Sequence, residues 1–281
     1  MKRKINLSTL FKIIAHLNFL PVIIFKVKNW PAFIIRYIGL RDGEFECIFR
    51  NGIKIKVNDG AGVATLAVIF IKKEYGDISK NSTIIDIGAH VGLYSILAAM
   101  EVGNIIYAFE PMPDNFKLLS ENIKKNKLET KIIPFNVAIA AKKEKRKLYL
   151  GESLSHSLFP VYECPFNELY EESDKIKQNY VDIDCVTLED VFVDNKIKRC
   201  DMLKVDCEGA EFEILYNTRD SYFTKIDNIR MEYHSFETKK SYNGQALASY
   251  LEDKGFKIEK LIGITSSTGF LWMGRAGRVN F

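Results

Sequence analysis

The side chains of this 281-residue chain that could do chemistry gather in four short stretches. The first runs Ile85-Asp86-Ile87-Gly88-Ala89-His90-Val91-Gly92, an acid followed by Gly-x-x-x-Gly. Glycine at position 88 lets backbone approach a ligand, and the carboxylate of Asp86 would repel a phosphate while suiting a cationic or hydroxyl-rich ligand. The second is Phe109-Glu110-Pro111, whose acid can accept hydrogen bonds from both hydroxyls of a nucleoside ribose. A dinucleotide site has such an acid too, but its Gly-x-Gly-x-x-Gly pyrophosphate cradle is absent from the first stretch. The sulfonium and amino-acid portion of S-adenosylmethionine fits that stretch better than a pyrophosphate does. The third and fourth are Asp206-Cys207-Glu208 and His234. A sulfonium ligand of that kind would donate its methyl group by in-line displacement, in which the acceptor must lose a proton. His234, titrating nearest neutrality, is the expected base, with Asp206 or Glu208 orienting it or the acceptor. Blander readings stand beside this: Asp206 contacts only the cofactor, Glu208 caps the following helix, and His234 is a hydrogen-bonded histidine at a strand end. The three could also hold a hard divalent cation, but no metal is expected, because methyl transfer needs none and the ligand set is incomplete. His16 and His90 read as packing or loop residues, with His90 in the cofactor loop.

Those residues need a sheet to bring them to one edge. Thr83 to Ile87 reads as a buried strand, followed by a helix to about Met100, a strand Asn104 to Phe109, a helix Pro113 to Asn126 and a strand Lys131 to Val137. Phe116, Leu119 and Ile123 form the core stripe of the second helix. This is the βαβαβ half of a doubly wound α/β domain, which binds ligands at the carboxyl ends of its strands. The pattern resumes with Met202 to Asp206, a helix from Gly209 to about Asn217, and Asn228 to Glu232. A helix near Gln245 to Lys254 leads to Phe256 to Leu261 and Phe270 to Gly274, two strands that would add an antiparallel edge. Upstream, Asn51-Gly52 signals a hairpin, and Ala61 to Tyr75 reads as a lead-in helix stopped by Gly76. The expected division is a helical extension over 1–42, hairpin and lead-in helix over 43–80, and the ligand-binding domain over 81–281. An insertion at about 140–186 contains a polar stretch, Gly151 to Asn179, too long for an ordinary connection. It reads as a substrate-facing lid that includes Ser155-His156-Ser157.

Charge is distributed unevenly. The first 41 residues carry eight basic side chains and no acid, which leaves 32 basic against 36 acidic residues in the remaining 240. A nucleic-acid enzyme needs a basic surface around its site, so no nucleic-acid partner is expected. Pro21 and Pro31 divide residues 5 to 38 into short helices that either pack on the domain or lie on a membrane surface, a peripheral contact through residues 1–41. The longest uncharged run there, Ile13 to Phe25, falls short of the roughly 20 residues that span a bilayer. Five scattered cysteines without a Cys-x-x-Cys pair read as reduced thiols, and the expected location is cytoplasmic. No pattern bears on oligomeric state.

Over about residues 45 to 275 the chain resembles the class I S-adenosylmethionine-dependent methyltransferases, and within them the FkbM family. The likeness is carried by Ile85 to Gly92, Phe109-Glu110-Pro111, Asn136-Val137-Ala138, Glu232-Tyr233-His234 and, most specifically, Leu203-Lys204-Val205-Asp206-Cys207-Glu208-Gly209-Ala210-Glu211. The resemblance implies a Rossmann-like seven-stranded sheet with an antiparallel last strand. It also implies O-methyl transfer from S-adenosylmethionine to a hydroxyl of a carbohydrate, lipid-linked saccharide or natural-product-like small molecule. By position, Asp86, Gly88 and Gly92 would line the methionine end, Glu110 the ribose, and Pro111, Met112, Asn136, Val137 and Ala138 the adenine. The rivals are an N-methyltransferase acting on RNA or protein, and a non-catalytic adenosine-ligand module held at a membrane or partner.

Overall fold

A computed structural model describes residues 19–150, 157–158, 179–236 and 241–275. His16, Ser155, His156, Cys164 and most of the expected lid lie outside the described residues. The chain opens with helices α1 (Leu20–Lys26) and α2 (Trp30–Tyr37), each with a proline in its first turn, where the missing N–H costs nothing. They pack inward through Ile23 and Phe33 and leave Phe25 79% exposed. Strands β1 (Phe45–Ile48) and β2 (Lys54–Val57) form the expected antiparallel hairpin. Helix α3 (Gly60–Leu66) is capped by the Asp59 side chain and runs on as π-helix over Ala67–Lys72. The lead-in helix therefore ends at Lys73, which turns left-handed at φ 53°, rather than at Gly76.

The main sheet begins with β3 (Ile84–Ile87), α4 (Leu93–Glu101), β4 (Ile106–Phe109), α5 (Pro113–Lys125) and β5 (Ile132–Phe135). The third strand stops short of Val137 because Ala138–Ile139 (β6) leaves to pair with β8 (Tyr180–Val186), which also pairs with β7 (Glu144–Tyr149) in a separate three-stranded sheet. Helix α6 (Leu188–Asp194) was not anticipated, although Thr187 and Asp190 form a reciprocal capping box at its start. After β9 (Met202–Val205) come α7 (Glu211–Asn217), α8 (Asp220–Phe223), β10 (Asn228–His234), α9 (Gly244–Asp253), β11 (Phe256–Gly263) and β12 (Thr268–Arg275). The seven-stranded order is β11-β12-β10-β9-β3-β4-β5, with β12 antiparallel to both of its neighbours. The last strand thus inserts between β10 and β11 and leaves the penultimate one at the edge. Strand order reverses at the parallel pair β3 and β9, so the crevice at their carboxyl ends is the switch point where such sheets bind ligands.

Alternation along the central strands assigns their side chains to two cores. Ile85, Ile87, Leu203 and Val205 join one core with α6, α7 and α9, while Ile84 and Met202 join the other with α2 to α5 and the hairpin. Asp86 and Lys204 are therefore forced toward the second core. No helix among the described residues is long and apolar enough to cross a membrane.

The hairpin is held by an unexpected device. Asn122 on α5 is fully buried beside Leu119 and Ile123, accepts from Lys56 N (2.8 Å) and donates to the carbonyls of Lys56 and Val91 (both 2.9 Å). Asn126, one turn on, repeats the pattern on Lys54. Two amides thus satisfy the free edge of β2. Asn122→Ala should lower the unfolding free energy by roughly 2–3 kcal/mol through the unpaired groups left behind, as read by urea denaturation.

Candidate active site

The switch point is built around a buried ammonium. Asp86 and Lys204 are register partners on β3 and β9, and Lys204, only 3% exposed, places Nζ 3.1 Å from Asp86 Oδ1 and 3.8 Å from Asp206 Oδ2. The same Nζ donates to Gly88 O at 2.7 Å. Burial disfavours the charged lysine, but Asp86 and Asp206 outweigh it and hold the pKa above the ordinary value. The other oxygen of Asp86 accepts from Ser95 Oγ at 2.7 Å. Asp86 is fully buried, with Oδ2 bonded to Ser95 and Oδ1 in the ion pair with Lys204, and it stands outside the cavity lining rather than at the expected methionine end. It shapes the loop from beneath.

Gly88 serves a different approach from the one expected. At φ +74° it lies against the next loop, and a Cβ there would sit 1.8 Å from Asp206 O. What comes close is the chain's own backbone. Gly92, at φ +90°, is the N-cap of α4 and faces Leu119 rather than the crevice.

Above this floor lies a cavity of about 630 Å³, lined at one end by Gly88, His90, Glu110, Pro111, Val137 and Ala138. Glu110 is buried, with one oxygen accepting from His90 N (2.8 Å) and the other from Met112 N (2.9 Å). Burial pushes its pKa up to about 7 despite those bonds. His90 adopts the left-handed region at φ 52°, which fits a loop residue contributing its backbone N–H. Met112 and Asn136 do not line the cavity. Met112 supplies an N–H, and exposed Asn136 donates to the carbonyls of Glu110 (2.9 Å) and Pro111 (3.0 Å), fixing the loop that carries the acid. A carboxylate held at a cavity wall suits ribose hydroxyls, and the further acids lining it, Asp206, Glu208 and Glu232, suit a sulfonium better than a pyrophosphate. The residues present fit S-adenosylmethionine.

The other end collects Asp206, Glu208, Glu232 and His234. Tyr75 OH donates to Asp206 Oδ2 at 2.9 Å. Glu208 and Gly209 are both left-handed, at φ 53° and 102°, a strained turn that lifts Glu208 off the strand. Glu211, 0% exposed, accepts from Cys207 N (3.0 Å) and from His234 Nδ1 (2.9 Å), while His234 Nε2 lies 3.7 Å from Glu208 Oε2. Burial would lower the pKa of His234, but Glu211 and Glu208 override it and raise it to about 10. These carboxylates favour the protonated ring, so the geometry sets His234 as the partner of Glu211 and Glu208 rather than as an isolated base. Burial raises Glu208 to about 7, and burial with Asp206 nearby raises Glu232 to about 8. Ser157, from the expected lid, donates to Glu208 O at 2.7 Å, and Leu158 joins the cavity wall.

Lys204, Glu211 and Glu232 were quoted within motifs but given no role in the sequence reading. Their signal was the alternation of strands that places Lys204 beside Asp86, and a period of two that pairs Glu232 with His234 on one face of β10.

Comparison with known proteins follows the same residues. Residues 86–258 match the methyltransferase FkbM domain model. Methyltransferase sdnD of Sordaria araneosa is 27% identical over 207 residues, spanning 66% of this chain and 78% of that protein. The tRNA (guanine(37)-N(1))-methyltransferase of Batrachochytrium dendrobatidis is 45% identical over 58 residues, which is 21% of this chain and 12% of that protein. Among solved structures, Methyltransferase FkbM from Methylobacillus flagellatus KT aligns with a TM-score of 0.47 at 11% identity, covering 94% of this chain and 60% of that one.

Two outcomes test the geometry. Lys204→Met strands Asp86 as an unpaired buried charge and should lower stability by about 3–5 kcal/mol in equilibrium unfolding. Glu110→Gln turns an amide NH2 toward a backbone N–H and should weaken S-adenosylhomocysteine binding by roughly 1–3 kcal/mol in calorimetry. The fold raises the Glu110 pKa from 4.5 to about 7, so its stabilising contribution is complete below pH 4.5 and lost as pH rises through 7. The variant should flatten that part of the stability profile.

Proposed function

The chain belongs to the FkbM methyltransferase family and uses S-adenosylmethionine, and we propose that it transfers the methyl group to a hydroxyl oxygen of a small molecule or glycan. One observation carries this reading: a single cavity runs from Glu110, the ribose end, past Gly88 to Asp206, Glu208, Glu232 and His234. A sulfonium methyl seated between those ends faces groups able to take the proton that an alcohol must lose. Glu232 takes that role. Its side chain lines the cavity and makes no hydrogen bond or ion pair with any described residue, which leaves its carboxylate for the acceptor. Asp206, fixed by Tyr75 and Lys204, orients the methionine end or the acceptor, and His234 with Glu211 holds Glu208 in place. The acceptor half continues past Val68, Ile69, Ile262 and Phe270 to Lys72 and Lys260, a mixed wall that suits a polyol with apolar or anionic substituents.

Incubation with tritiated S-adenosylmethionine and separate pools of sugar nucleotides, lipid-linked saccharides and RNA tests the assignment. Label is expected in the hydroxyl compounds, and label in RNA alone would replace this reading with nitrogen methylation. Glu232→Gln should reduce turnover by about 10²-fold or more while S-adenosylhomocysteine affinity stays at the wild-type value. Wild-type turnover in that variant removes Glu232 as the base.

A further inference from the structure

We propose that Asp206, Glu208 and His234 form a site for one divalent cation of the Mn²⁺ class, beside the methyl acceptor. The purpose of the site rests on the methyl-transfer reading above, but its geometry stands apart from it. One ligand atom from each of the three residues lies within 4.8 Å of the others. A hard cation with metal–ligand distances of about 2.1–2.4 Å bridges donors up to roughly twice that separation. Two carboxylates and one imidazole suit Mn²⁺, which accepts nitrogen more readily than Mg²⁺ does.

The imidazole is set up as a ligand. Its Nδ1 donates to Glu211 Oε1 at 2.9 Å, and its Nε2 is directed to the side where Glu208 stands at 3.7 Å. Metal-bound histidines ordinarily give their other ring N–H to a carboxylate, which fixes tautomer and ring orientation. Glu211 is fully buried behind the ring, and its second oxygen, Oε2, has no hydrogen-bond partner among the described residues. That unpartnered oxygen is an observation independent of the cavity acids.

Charge balance points the same way. Asp86, Asp206, Glu208, Glu211 and Glu232 surround two cations, Lys204 and His234, and Lys204 is divided between Asp86 and Asp206. A divalent ion held by Asp206, Glu208 and His234 would place positive charge directly beside these carboxylates. Three protein ligands leave positions on an octahedron for water and for the acceptor hydroxyl. In the step this implies, the bound hydroxyl gives its proton to Glu232, the O–C bond forms as the sulfonium S–C bond breaks, and neutral S-adenosylhomocysteine leaves.

The test is Mn²⁺ binding to the full chain after chelator treatment, followed by electron paramagnetic resonance of the free ion, with S-adenosylhomocysteine present so that the cofactor half is filled. One Mn²⁺ per chain is expected. Glu208→Gln and Asp206→Asn should abolish it, Glu211→Gln should weaken it by roughly 10- to 100-fold, and Asp184→Asn, at an exposed acid on β8, should leave it unchanged. Cofactor affinity, measured on the same samples, reports whether Glu208→Gln and Glu211→Gln remain folded. No Mn²⁺ binding to the wild-type chain that still binds S-adenosylhomocysteine overturns the metal site and leaves the methyl-transfer reading standing. Binding that survives Glu208→Gln overturns it as well. If S-adenosylhomocysteine fails to bind, the methyl-transfer reading falls, and the Mn²⁺ titration of the same variants still decides the metal.

Discussion

The ammonium of Lys204 is the contact on which this active-site architecture depends. It is buried between two parallel strands at the switch point, where it ties Asp86 on β3, Asp206 after β9 and the carbonyl of Gly88 into one unit. An ion pair at this depth is not a large net source of stability, because desolvation offsets most of its Coulomb energy. Its effect is on shape. With Lys204 in place the first loop can lie only where its carbonyl meets Nζ, and Gly88 permits that by having no Cβ to collide with Asp206 O. Ligand-facing groups are then presented by two loops locked to each other. Neither loop needs the ligand to hold it.

This arrangement changes the meaning of the acid in the first motif. A carboxylate at the end of a first strand reads from sequence as a ligand contact, and at that level nothing distinguishes one that faces up from one that faces down. Strand alternation decides it, since Ile85 and Ile87 take the core on one face and Asp86 must take the other. There it finds Lys204 and Ser95. The acid that does meet the cavity is Glu110, at the tip of the neighbouring strand and held by backbone N–H groups rather than by a cation. Burial raises its pKa to about 7, outweighing those N–H bonds and the charge of Lys204.

The sheet, its order of helices and the main binding crevice were legible because hydrophobic period and glycine placement act locally. The strands starting at Ile84, Ile106 and Met202 fall where the apolar runs place them, and Pro113 opens its helix. What escaped was set by partners distant in sequence. The surroundings of His234 depend on Glu211, twenty-three residues earlier, which the turn at Glu208 and Gly209 folds against it. Asn122 carries no local signal in the sequence, and only the hairpin sixty-six residues away explains its burial. The last strand's inner position likewise depends on pairing with β10 over its full length, which no local pattern records.

The acceptor half shows the same limit from the side of function. Its wall is assembled from Val68 and Ile69 on the π-helical turn, Ile262 and Phe270 on the β11–β12 hairpin, and Leu158 from the insertion, segments that share no motif. A π-helical turn widens the backbone and shifts the register of the side chains that follow, and such turns occur often at functional sites. Here it brings Val68, Ile69 and Lys72 to the cavity while Phe70 turns inward to stack on Phe49. The donor half is fixed by two loops locked through one lysine, whereas the acceptor half is a meeting of three independent surfaces. The two halves meet through Tyr75, whose ring packs edge-on against Phe270 and lies 5.6 Å from Lys204 Nζ while its hydroxyl donates to Asp206. The carboxylates and His234 stand at that seam.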